Sequence, residues 1–311
     1  MFNSILRKFA ACLSFYYKNR LHIKKNYEIN IINRINIYKK KNTERKKILE
    51  THNIFNQNLE KLIADKNFRN FLRESFIQKI FFVHNRIYIL FMLLYILFKN
   101  KIYFRKLIAE DNIGNPVRFF LYPKSSGNRI REVFHLVRFQ EFSNLSLEKL
   151  DLIFEFGGGY GNMARLFNKI NKNLTYIIQD TLNVSLIQYY YLSMLKIPVT
   201  FKKYSKNKVS LNINLNNVNL KKNHKKKLFI ANWSLSESPL KTRNAIINKM
   251  TQFDYLLISF QNKFEDIDNY KFFNKILPLF KNNFSYKISE IPFMNIFTLS
   301  NKHYYLFIKN D

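Results

Sequence analysis

Residues 151–166 read DLIFEFGGGYGNMARL, and this stretch decides the fold. An apolar run, Leu152 to Phe154, leads into an acid, Glu155. Glycines follow at Gly157, Gly158, Gly159 and Gly161, and a segment of helical character runs from Asn162 to Ile170. A strand, a glycine turn and a helix start, in that order, form the layout of a nucleotide-type cofactor site. The chain has only six glycines, and four of them fall within these five positions, so the turn is not a casual loop. Glycine permits a sharp bend and lets a ligand approach with no Cβ in the way.

Outward from this stretch, strands and helices alternate. Candidate strands are 152–156, 175–179, 199–202, 228–232 and 255–260, followed by 284–288 and 304–308. Candidate helices are 162–170, 184–195, 239–250 and 270–280. Such alternation means an α/β fold with a mostly parallel sheet and helices on both faces. The last two strands have no room between them for a helical crossover, so they are expected as an antiparallel pair at the sheet edge. Residues 203–227 are polar and rich in Asn and Lys, and read as a loop around a weak strand.

Before residue 150 the texture differs. Residues 1–108 read as a basic, mainly helical N-terminal region, and 109–311 as an α/β domain. Within that domain, 109–150 is a loop and helix ahead of the sheet, and 151–311 is the sheet-bearing core. Residues 1–50 carry thirteen Lys and Arg against three Glu. Their interleaving with Ile, Phe and Tyr suits either a helix lying on an anionic membrane surface or a solvated helix capping the next domain. Arg7 and Lys8 interrupt the first apolar stretch, and its small residues precede the run instead of following it, so a signal peptide is not expected. Ile87 to Phe98 is apolar throughout, but its twelve residues fall short of the about 20 needed to span a bilayer. A buried helix, or one dipping into an interface, is expected instead.

Composition bounds the remaining classes. The single cysteine, Cys12, excludes an intrachain disulfide and agrees with a cytoplasmic setting. The six histidines show no metal spacing, and no metal site is expected. The net charge of +31 points to a polyanion partner, or to compositional drift of AT-rich coding DNA, which explains abundant Lys but not scarce acids.

Asp180 follows the second strand and lies 19 positions beyond Gly161, where an acid accepts hydrogen bonds from ribose hydroxyls. Gly159, Gly161 and Ala164 also fit G-x-G-x-x-A, so NAD and S-adenosylmethionine both remain open on spacing alone. Glu155 favours the latter, because a carboxylate repels a pyrophosphate and attracts a methionine ammonium. The antiparallel terminal pair points the same way.

The segment Glu155-Phe156-Gly157-Gly158-Gly159-Tyr160-Gly161 resembles motif I, E-x-G-x-G-x-G, of the class I methyltransferases dependent on S-adenosylmethionine. More narrowly, the chain resembles a bacterial family of sugar O-methyltransferases in DNIGNPVRF (111–119), IFEFGGGYGNMARL (153–166) and IANWSLSESP (230–239). The similarity covers roughly residues 110–310. It implies a Rossmann-like methyltransferase fold, with a mostly parallel seven-stranded sheet and an antiparallel C-terminal strand. It also implies methyl transfer to a sugar hydroxyl in glycan or glycoconjugate biosynthesis.

By that resemblance, Gly157, Gly158, Gly159 and Gly161 wrap the methionine part of the cofactor, and the helix start at Asn162 faces its carboxylate. Glu155 sits near the ammonium. Asp180 holds the ribose, with Thr181 and Leu182 beside the adenine. Asn232 lines the methionine pocket, and Trp233 packs on the sulfonium or else serves as a core aromatic. Glu237 is the leading candidate for the base that activates a hydroxyl, and His135 is the second. Ser234, Ser236 and Ser238 could hydrogen-bond a polyol, although Ser238-Pro239 also reads as a helix start. Arg129, with Arg118 and Arg131, could bind an anionic group of the substrate.

Two other functions compete. An RNA methyltransferase accounts for the charge, but Asn232-Trp233-Ser234-Leu235 lacks the proline and stacking aromatic that base N-methylating enzymes carry at this point. A NAD-dependent oxidoreductase accounts for the glycine spacing.

Overall fold

The computed structural model describes residues 25–43, 54–81, 86–99, 102–202, 204–213, 226–280, 283–296 and 301–311. The segment weighed as a signal peptide, and most of the charge run KKNHKKK, lie outside these residues. The chain divides into two compact units. One comprises Met1–Phe134, Gly159–Arg165 and Thr181–Val199; the other comprises His135–Gly158, Leu166–Asp180 and Thr200–Asp311. The segments after the glycine turn and after the second sheet strand group with the N-terminal elements.

In the first unit, helices span Lys25–Thr43, Ile54–Ala64, Ser75–Ile80, Tyr88–Phe98 and Ile102–Leu107. A short hairpin pairs β1 (Arg118–Phe119) with β2 (Tyr122–Ser126). The helix Leu182–Met194 is buried along its whole length. Its tyrosines bind the N-terminal helix: Tyr190 Oη donates to Glu28 at 2.9 Å, and Tyr27 Oη donates to the Ser193 carbonyl at 2.9 Å. No helix among the described residues is long and apolar enough to cross a membrane.

The second unit is built on a sheet. Its strands are β3 (Leu152–Phe156), β4 (Thr175–Gln179), β5 (Val199–Thr200), β6 (Val209–Asn212), β7 (Lys227–Asn232) and β8 (Tyr255–Gln261), then β11 (Phe284–Glu290) and β12 (His303–Asn310). Between β8 and β11, β9 (Lys263–Phe264) and β10 (Ile267–Asp268) form a small hairpin. The order across the sheet is β11-β12-β8-β7-β3-β4-β6-β5. From β8 to β6 the strands are parallel, and β12 runs antiparallel to both β8 and β11. This is a Rossmann-like topology, with eight strands where seven are expected.

The extra strand arises at 199–212. The segment expected as the third parallel strand, 199–202, is a two-residue strand at the edge, and β6 takes the place beside β4. The reason lies in burial: Val209–Asn212 is buried at every residue, whereas Val199 and Thr200 are half-exposed. A short buried strand inside a polar insertion is faint in the sequence because two apolar residues, Val209 and Leu211, carry its whole signal.

β3 is central and buried at all five residues, as a strand covered on both faces must be. Phe154, Phe229, Leu256, Ile258 and Leu306 form one face, covered by Ile246 and Met250 of helix Leu240–Met250 and by Phe273 and Ile276 of helix Asn269–Ile276. On the other face, Phe142 stacks on Phe307 with ring centroids 5.5 Å apart, and Phe139 meets Tyr255 edge-on at 6.2 Å. This two-sided cover holds the strand ends that carry the site.

Candidate functional site

Parallel strands deliver their C-terminal ends to one edge, and in open α/β sheets ligands bind there. In the second unit that edge carries Gly157 after β3, Asp180 after β4, Trp233 after β7 and Gln261 ending β8. The glycine turn is tied to its neighbours at once. Gly157 N–H donates to the Gln179 carbonyl at 2.9 Å. The Ser234 hydroxyl donates to the Phe156 carbonyl, so the turn after β3 and the loop after β7 are fastened together. Gly157 has φ +74°, and a Cβ built there would lie 2.2 Å from Ser234 Cβ. No side chain fits between them. Gly159 and Gly161, which belong to the first unit, also have positive φ.

The loop 233–238 is a tight turn held from inside. Trp233 has φ +63°, uncommon for a residue with a side chain. Ser236 Oγ donates to the Trp233 carbonyl at 2.7 Å and contacts Gln261 Oε1 at 2.9 Å. Ser238 Oγ donates to the Ser234 carbonyl at 2.7 Å. Arg243, fully buried, reaches back from the following helix. Its guanidinium donates to the carbonyls of Ser236 and Ser238 and, at 2.6 Å, to Asn269 Oδ1.

Within this frame sits Glu237. The Gln261 amide donates to its Oε1 at 3.3 Å. Burial pushes the Glu237 carboxyl up to about 7, and the Gln261 hydrogen bond opposes that only weakly. Desolvation penalises the charged form, and it outweighs the hydrogen bond. A carboxyl titrating near neutrality can accept a proton from a substrate at physiological pH, which an ordinary surface glutamate does poorly.

Other expected site residues have structural duties. His135 is fully buried, with Nδ1 2.5 Å from Tyr305 Oη, and its ring packs on Trp233. It has no exposed atom to offer an acceptor, which corrects its reading as a second base. Trp233 is 4% exposed and its Nε1 donates to His303 Nδ1 at 3.0 Å, so it is a core aromatic and not a face for the cofactor. Ser236 is fully buried in the turn and cannot meet a polyol. Ser234, half-buried, has its proton committed to Phe156. Ser238 does not cap the next helix, whose N-cap is Pro239. Glu155 is buried on β3, where the Tyr176 hydroxyl donates to it at 2.8 Å. Asn232 Oδ1 accepts from Ser259 Oγ at 2.9 Å, which orients its amide at the strand end. Asp180 is half-buried at the end of β4.

The expectation for Arg129 is also corrected. In the first unit its guanidinium is fully buried, 2.8 Å from Glu110, 3.2 Å from Asp111 and 2.8 Å from Tyr191 Oη. Arg165 joins through Asp111 and the carbonyls of Leu107 and Ala109. Arg129 and Asp111 are thus halves of an internal ion network, not a substrate clamp. Breaking such a pair by removing one partner strands a buried charge. Thr181 is exposed at the N-cap position of Leu182–Met194, with no side-chain cap bond.

One side-chain group in the second unit fits a polar ligand that is still to be supplied. Gln179 Oε1 is buried at the end of β4 without a hydrogen-bond partner among the described residues. Buried polar atoms are nearly always satisfied, so this orphan is what a cofactor's polar group would complete. In the first unit, Asn162 opens the helix Asn162–Ile170, and its amide oxygen and nitrogen are likewise buried without a partner among the described residues.

Gln261, Arg243 and His303 were not legible as site residues. Gln261 had one positional cue, a polar residue ending a parallel strand; Arg243 had none in so basic a chain.

No family model matches the chain, and no curated protein matches it. Among solved structures it is similar to an rRNA methylase from Streptococcus thermophilus (14% identity, 58% of this chain and 96% of that one, TM-score 0.41). It is also similar to the StiE O-MT, residues 942–1257 (9%, 58% and 74%, TM-score 0.42). A third is a Haemonchus contortus N-methyltransferase in complex with phosphomonomethylethanolamine and S-adenosylhomocysteine (9%, 57% and 52%, TM-score 0.41). Such distant likenesses carry no weight for substrate or chemistry, which the chain's own residues must supply.

Proposed function

We propose that the protein is an O-methyltransferase that uses S-adenosylmethionine to methylate a sugar hydroxyl in glycan or glycoconjugate assembly. The observation that carries this reading is the carboxyl of Glu237. It lies in the loop just past β7, where burial pushes it up to about 7, and that loop is fastened through Ser234 to the glycine turn after β3.

S-adenosylmethionine, when bound, supplies a methyl group already activated on a sulfonium sulfur. The chain therefore has to position, exclude water and move one proton. Gly157 and Gly158 leave the turn after β3 bare of side chains. The Asp180 carboxylate accepts ribose hydroxyls, and the orphaned Gln179 amide oxygen meets a further polar group. A sugar hydroxyl is a weak nucleophile, and Glu237 accepts its proton. Gln261 orients Glu237, and Arg243 keeps the 233–238 turn from relaxing.

One observation favours a second reading. The charge of +31 suits RNA, which likewise offers hydroxyls. Burial of Trp233 argues against base methylation, because no aromatic in this turn is left to stack on a flipped base.

Calorimetry decides the cofactor. The chain is expected to bind S-adenosylmethionine and S-adenosylhomocysteine, and not NAD. Binding of NAD without S-adenosylmethionine would sink the methyltransferase reading.

A further inference from the structure

The helix Tyr88–Phe98 in the first unit has two apolar faces. Tyr88, Ile89, Met92, Leu93 and Ile96 are buried. Ile87, Phe91, Leu94 and Phe98 are 44%, 39%, 41% and 84% exposed. The exposed four are spaced 4, 3 and 4 residues apart, which places them in one continuous stripe along the helix. A soluble helix of this kind normally turns charged and polar residues outward.

The surroundings of the stripe are cationic. Arg86, Lys99, Arg105 and Lys106 are all exposed, and no Asp or Glu occurs between Arg86 and Ile108. Arg105 Nη2 donates to the Leu97 carbonyl at 2.7 Å, which sets one cation at the C-terminal end of the helix. Eleven helical residues extend about 16 Å, well short of the roughly 30 Å hydrocarbon core. Such a helix cannot span a bilayer, but it can lie in its surface. Apolar side chains then enter the acyl boundary and Lys and Arg meet the phosphates.

We infer that the Tyr88–Phe98 helix seats this protein on an anionic lipid surface. Charge selects that occupant. A second copy of the chain would set Arg86, Lys99, Arg105 and Lys106 against the same four cations, and an uncharged apolar partner would leave them unused. The inference does not depend on the proposed methyl transfer.

The test is co-sedimentation of the full chain with vesicles of phosphatidylcholine alone or containing phosphatidylglycerol. The native chain is expected to sediment with the anionic vesicles, and less so as salt rises. A chain carrying both Leu94→Glu and Phe98→Glu should lose at least about tenfold in partitioning. Both positions are exposed, so the variant should keep its melting temperature, and Lys99→Gln with Arg105→Gln should weaken binding while the stripe stays intact. Equal sedimentation of native and Leu94→Glu, Phe98→Glu chains overturns the inference. So does sizing that shows this variant turning a dimer into a monomer while vesicle binding is unchanged, for then the stripe joins two copies.

Discussion

Glu237→Gln is expected to leave the affinity for S-adenosylmethionine unchanged and to lower turnover by about 10²–10⁴-fold, the range a positioned general base contributes. The substitution keeps the shape and the contact with Gln261 and removes only the ability to take a proton. The pH dependence should follow. Glu237 must be ionised to act, and its carboxyl titrates at about 7, so native turnover should climb as pH rises through 7 and then level. The variant's residual rate should lack that step. Stability gives an independent check with the opposite sign. The folded carboxyl holds its proton up to about 7, whereas the unfolded one releases it near the ordinary 4.5. Between those values the native state binds more protons, so raising pH across that window costs the folded state stability. Glu237→Gln removes this penalty, so at pH 8 it should melt no lower than the native chain. A variant that melts lower and retains turnover would remove Glu237 from the mechanism.

Gly157→Ala carries the second large effect. The new Cβ would stand 2.2 Å from Ser234 Cβ and 2.8 Å from Ser234 Oγ, at a φ of +74° that side chains rarely adopt. Ser234 cannot swing aside without releasing the Phe156 carbonyl. Either the glycine turn or the 233–238 turn must shift. The backbone conformation alone costs about 1–3 kcal/mol, and a displacement of ~1 Å at a site can cost about 100-fold in rate. The cofactor affinity and the melting temperature should therefore both fall. Gly159→Ala is the control: its Cβ would meet Phe81 at 3.6 Å, an ordinary contact, so only the strain of φ +53° remains. Adding Ser234→Gly to Gly157→Ala should recover part of the loss, because it removes the colliding atoms. If Gly157→Ala binds the cofactor as tightly as the native chain, the turn does not hold it.

Much of this was legible in the sequence where one physical cause dominated. β3, β4 and the helix Asn162–Ile170 fall where apolar runs and glycine punctuation put them. The antiparallel β12 followed from a connection too short for a crossover. β6 was faint because a polar insertion surrounds it, and its partner β4 lies 30 residues away. The site was legible in type but not in duty. Glu237 stood out because it lies just past the fourth strand, and the burial that raises its carboxyl toward neutrality is not written in the sequence. Ser236 and Arg129 have the chemistry of ligand-binding groups, and nothing local distinguishes them from the structural groups they are. His135 read as a site residue and Trp233 as either a cofactor contact or a core aromatic, and packing buries both in the core. The first unit was least legible, since Arg129 meets acids from a loop 18 and 19 residues earlier and a tyrosine 62 residues later.

Methyl transfer itself tests the account most directly. The native chain should be incubated with S-adenosylmethionine carrying a labelled methyl group, with sugars and oligosaccharides in one arm and RNA in the other. Label is expected on a sugar hydroxyl of a glycan acceptor, as an ether stable to base, and is expected to be lost with Glu237→Gln. Label found only on RNA bases, or none on any acceptor while the cofactor binds, would contradict it.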